Sequence, residues 1–121
     1  MMTPEEYRAA RDAAPYWLQL RIKAVEAPKQ MPGVCIVRGA VTRQFRGPPF
    51  ASGTLRLEVE CKRRGQRTPP GDEFRMEVEE LASGAYLEAF VESREKRFVV
   101  VARQIGLVLR PGSEPTFTGK E

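Results

Sequence analysis

The chain has 121 residues, 41% of them hydrophobic and 30% charged, which suits one domain with a real core and argues against global disorder. Its formal charge of +4 is a mild surplus that favours polyanionic partners only weakly. Histidine is absent, which excludes Ser-His-Asp and Cys-His catalysis and removes the commonest metal ligand.

The first predicted element is a short helix over residues 4–13. Thr3 stands before Pro4, with Glu5 and Glu6 in the first turn, and Thr3 with Glu6 fits a capping box. Pro15 stops it. In YWLQLRIKAVEAP, Leu18, Leu20 and Ile22 alternate with Gln19, Arg21 and Lys23, the period of a half-buried strand. After the turn APKQMPG, the segment GVCIVRGAVTRQFRG reads as a long strand, and Gly39 in its middle predicts a bulge or sharp bend. TLRLEVECK has the cleanest alternation, with Leu55, Leu57, Val59 and Cys61 inward and Arg56, Glu58, Glu60 and Lys62 outward.

ECKRRGQRTPPGDEF follows as a charged turn. FRMEV predicts a short strand with Phe74, Met76 and Val78 on one face. VEELASG predicts a helical turn ended by Gly84. AYLEAFVE fits either a continued helix or a strand, and the bracketing turns favour a strand. RFVVVARQIGLVLRPG is a long β-branched strand ending at Pro111, and residues 112–121 read as a loose tail.

This order predicts a mainly β chain: a five-stranded, OB-like Greek-key barrel over residues 16–110, with a short N-terminal helix and a short helix before strand four. GVCIVRGAVTRQFRG followed by TLRLEVE, and later GAYLEAFVE, resembles OB-like barrels of the netrin-module and TIMP-like kind, and small bacterial proteins with the same strand pattern. The resemblance covers residues 16–110 and rests on hydrophobic pattern. Secreted netrin-type modules carry cysteine frameworks, and the inhibitors among them an N-terminal cysteine. This chain has neither, so protease inhibition does not carry over.

Cys35 and Cys61 both fall in predicted strands and are expected to be buried thiols, since free Cys packs as a small apolar residue. A bond between them requires neighbouring strands and an oxidising compartment. The start of the chain shows no secretory pattern, so a cytoplasmic location is expected, with no membrane partner. No phosphate loop, CxxC pair or nucleophile–base set occurs, and neither an enzymatic activity nor a cofactor or metal is expected. Glu58 with Glu60, and Glu77 with Glu79 and Glu80, read as solvated faces rather than catalytic carboxylates.

Charge is unevenly distributed. Residues 38–67 carry a net +6 and residues 68–95 a net −6. The candidate binding residues are therefore Arg38, Arg43, Phe45, Arg46, Lys62, Arg63, Arg64 and Arg67. The favoured function is a non-catalytic module that binds another protein. Single-stranded nucleic acid is the alternative, with Phe45 and Phe50 as stacking groups, although the third strand's outer face offers two acids and no aromatic. A small-molecule site lined by Tyr16, Trp17, Tyr86 and Phe90 is the lesser alternative. The loop arginines join in such a site only if they share a face with Arg38, Arg43 and Arg46.

Overall fold

The computed structural model describes residues 2–68 and 75–116. Helix α1 (Pro4–Ala13) starts at the expected capping box: Thr3 Oγ1 accepts the Glu6 N–H at 3.1 Å, and Glu6 Oε1 accepts the Thr3 N–H at 3.3 Å. Strands β1 (Tyr16–Glu26), β2 (Gly33–Arg46) and β3 (Thr54–Lys62) form an antiparallel meander. A two-residue strand β4 (Met76–Glu77) and helix α2 (Val78–Ser83) lead into β5 (Tyr86–Arg94) and β6 (Arg97–Val108). Residues 85–92 thus lie in strand rather than in a continued helix. Val78, expected in a strand, opens α2 instead, and Phe74 lies outside the described residues.

The sheet order is β2-β1-β5-β6-β3-β4, and a further β2–β3 pairing closes five strands into a hydrogen-bonded ring. β3 and β6 run parallel; β1–β5 and β5–β6 are antiparallel. This barrel-like closure is compatible with the OB-like layout expected from the element order. It leaves few edges, and β4 covers the end of β3.

The interior is filled by alternate residues of each strand: Leu18, Leu20, Val37, Leu55, Leu57, Val59, Leu87, Ala89, Val91 and Ile105, with Leu81 of α2 as a plug. Tyr16 packs with Phe50 and Phe98 at the partly buried margin of this core.

Gly39 sits where β1 and β2 slip register, between Ile22 and Ala24. A Cβ there would lie 2.2 Å from the Arg21 carbonyl oxygen, so the close strand approach requires glycine. Gly39→Ala is expected to cost about 3 kcal/mol, at the upper end for overpacking, measured by urea unfolding. A loss below about 1 kcal/mol would show that the bend relaxes freely. Gly84 ends α2 for a related reason. Its φ is −77°, outside the left-handed region, and a Cβ would lie 2.8 Å from Leu107 Cδ2.

The cysteines depart from expectation. Cys35 and Cys61 are fully buried and disulfide-bonded, with Cα atoms 5.9 Å apart. The cause is register. Cys35 stands opposite Val59 and Cys61 opposite Gly33, so the cysteines are diagonal neighbours on the inner face of β2 and β3. Residue type predicted burial for both, and periodicity an inward Cys61, but neither could give the pairing.

Candidate functional site

The predicted basic residues fall into three places. Lys62, Arg63, Arg64 and Arg67 lie at the end of β3, beside the start of β2. There Gln66 Nε2 donates to the Met31 carbonyl at 2.7 Å, while Gln66 Oε1 accepts the Arg63 N–H at 3.0 Å. Arg64 is committed to local acids: its backbone N–H donates to Glu79 at 2.8 Å and its side chain pairs with Glu77 at 3.4 Å. The Glu79 carboxyl is held below the usual carboxylate range by N–H donation from its own backbone and from Arg64. This turn is internally bonded, and part of the +6 stretch cancels part of the −6 stretch here.

Arg46 occupies a second place, at the far end of β2. Its Nη1 donates to the carbonyls of Arg11 at 2.6 Å and Ala14 at 2.9 Å, capping the C-terminal end of α1. The guanidinium lies over Trp17, 5.5 Å from the ring centroid. Phe45 packs edge-on to Trp17 at 5.6 Å, and Phe50 stacks on Tyr16 at 5.0 Å. Both phenylalanines proposed for base stacking therefore have protein partners.

Arg38 and Arg43 occupy the third place, the outer face of the β1–β2–β3 meander. Alternation builds this face. Val37 and Gly39 point inward, so Arg38 points out; Leu55 and Leu57 point inward, so Arg56 points out. Register then sets Arg38 directly opposite Arg56, and Arg21 opposite Ala40, one step along the same face. Arg43 stands opposite Gln19 on β1. Neighbouring strands lie about 5 Å apart and same-face residues about 7 Å apart, so the four guanidinium groups can reach one ligand. All four arginines are exposed, as is Lys23 at the bulge. Glu26 pairs with Arg38 at 3.1 Å, and it is the one carboxylate that ion-pairs with these cations among the described residues.

The eight candidates thus do not form one surface. Arg38 and Arg43 share a face with Arg21 and Arg56, which the charge tally alone had not grouped with them. About ten residues of β2, roughly 33 Å along the strand, separate Gly33, at the loop's end, from Arg43. The signal available in the sequence was the outward parity of Arg21 and Arg56; their register with Arg38 was not.

The other outward acids are neutralised in place. Glu60 takes a two-point contact from Arg103, Nε at 2.7 Å and Nη2 at 3.3 Å, with Arg75 at 3.6 Å. Glu58 pairs with Arg97 at 3.4 Å. These groups rim a cleft of about 400 Å³ beside Val34 and Val99, where β6 leaves β3 after only two paired residues. The departure coincides with left-handed backbone at Ala102 (φ 47°) and Arg103 (φ 55°), which turns Arg103 towards Glu60. The residues expected to line a barrel mouth separate as well. Trp17 and Phe90 stack at 4.6 Å on the outer side of β1 and β5, whereas Tyr16 packs against the core.

No helix among the described residues is long and apolar enough to cross a membrane, and no cluster of three or more His, Cys, Asp or Glu suited to a metal occurs among them. No family model, curated protein or solved structure matches the chain.

Proposed function

We propose that the protein is a non-catalytic binding module, an OB-like barrel whose outer β1–β2–β3 face docks an acidic segment of another protein. The observation that carries this is the direct opposition of Arg38 and Arg56 within a face that also bears Arg21 and Arg43. Like charges opposed across a strand pair destabilise a sheet by up to about 1 kcal/mol, and an anionic ligand relieves that repulsion. Long-range attraction to such a face also accelerates encounter.

An acidic protein segment fits better than single-stranded nucleic acid. Stacking contributes about 1–3 kcal/mol per base, and the aromatics at the margin of this face, Trp17 and Phe45, are already packed on each other and on Phe90. The disulfide favours an oxidising compartment over the cytoplasm, because reducing pools keep cytosolic thiols free.

The test is titration of labelled polyglutamate and of oligo-dT, each at low and at physiological ionic strength. Polyglutamate is expected to bind at low salt, more tightly than oligo-dT of equal charge, and to weaken as salt rises. Tighter, salt-sensitive binding of oligo-dT would transfer the face to nucleic acid. Absence of binding by either at low salt would end the polyanion reading.

A further inference from the structure

A second site lies on the outer side of β1 and β5, where a barrel surface would ordinarily be solvated. Glu88 and Gln19 point outward there, yet both are fully buried. Their cover is the chain's own segment after β6. Glu88 Oε1 accepts the Thr116 N–H at 2.9 Å and the Thr116 hydroxyl at 3.3 Å, and also Gln19 Nε2 at 2.9 Å. Its Oε2 accepts the Trp17 indole N–H at 3.0 Å. Gln19 Oε1 accepts the Gly112 N–H at 3.0 Å. The loose tail expected from sequence is therefore pinned at two points four residues apart, while residues 117–121 lie outside the described residues.

We infer that this face is a recognition site for a short, bent, hydroxyl-bearing peptide segment, which residues 112–116 of the chain itself occupy in cis, with the bend at Ser113–Glu114. Three observations support it. Two of the contacts are made to the occupant's main chain, so they specify two free N–H groups four residues apart across a bend rather than one sequence. The third captures a hydroxyl at the carboxylate, which selects Ser or Thr at that position. A groove of about 450 Å³ adjoins the strap, lined by Arg11, Asp12, Trp17, Arg46 and Phe90 and by Glu114 and Pro115 of the strap itself. Pro115 suits the aromatic side of this groove, and Glu114 suits the guanidinium groups. The preferred ligand is thus a Gly-x-Glu-Pro-Thr-like segment bent at its second and third residues. Removal of the strap exposes polar groups that water can satisfy, so exchange is possible without unfolding the barrel. The high effective concentration of the tethered segment keeps competing peptides out.

Trp17 is the only tryptophan, and its N–H meets the same carboxylate as Thr116, so its emission reports the site. The experiment uses the full chain with Gly112→Pro and Thr116→Pro, which removes both main-chain donors and the hydroxyl. This variant is expected to shift Trp17 emission, with unchanged far-UV circular dichroism. The peptide LRPGSEPT added in trans is expected to restore the emission of the unmodified chain. A peptide carrying the same two prolines should not, and Glu88→Gln in the opened chain should weaken peptide binding about tenfold or more. Unmodified protein should ignore the peptide. Emission that does not shift, failure of the peptide to restore a shifted emission, or equal restoration by the proline peptide would each overturn the inference.

Discussion

Cys35→Ala with Cys61→Ala is expected to lower unfolding free energy by about 3–4 kcal/mol. The bond closes a loop of 26 residues, and chain-entropy loss in the unfolded state predicts a contribution of that size. For a domain of this length the melting temperature should fall by roughly 10 °C or more. The bond also joins β2 to β3 beneath the basic face, so its loss acts on the strands that set Arg38 opposite Arg56. Paired unfolding curves with and without reductant provide the check. The unmodified protein should become less stable in reductant, and the double variant should be indifferent to it. Because both sulfurs are bonded and fully buried, alkylation should require unfolding together with reduction. A double variant within about 1 kcal/mol of the unmodified chain would show that packing, not the cross-link, holds this pair of strands.

Arg38→Glu with Arg56→Glu is expected to reduce polyglutamate affinity by about 100-fold or more at low salt. Two charge-assisted contacts, each contributing about 1.5–3 kcal/mol, are replaced by repulsion. The fold should survive, since both side chains are exposed. Arg56→Glu alone sharpens the test. It sets an acid opposite Arg38, which should stabilise the sheet by a few tenths of a kcal/mol while binding weakens. Improved stability with impaired binding is the signature of a face kept basic for a ligand. Arg63→Glu with Arg64→Glu is the control: that turn lies at the other end of β2 and is tied to Glu77 and Glu79, so binding to the β1–β2–β3 face should persist. Equal loss of binding from the control would instead assign recognition to the turn.

The same contrast shows why the basic turn drew attention in the sequence and why the structure moves it aside. Linear charge tallies count neighbours along the chain, whereas recognition depends on neighbours across strands. Arg63 and Arg64 are adjacent in sequence, and Arg64 is engaged with Glu77 and Glu79 of the following segment. Arg21, Arg38 and Arg56 are far apart in sequence and share one surface through register.

Residue type and spacing by themselves determined the local elements: the capped helix at Thr3–Ala13, the inward set Leu55, Leu57, Val59 and Cys61, and the glycine-marked bend at Gly39, while AYLEAFVE fitted helix or strand until the structure placed it in β5. Those features depend on dihedral preference and on the period of apolar side chains, both of which are local. Only the tertiary structure decided which residues meet. It set Cys35 diagonal to Cys61, Arg38 against Arg56, Arg46 onto the end of α1, and Thr116 onto Glu88. Each of these depends on strand register and on the path of the chain between elements. Register follows from bulges and closure of the whole ring, which no window of neighbouring residues contains.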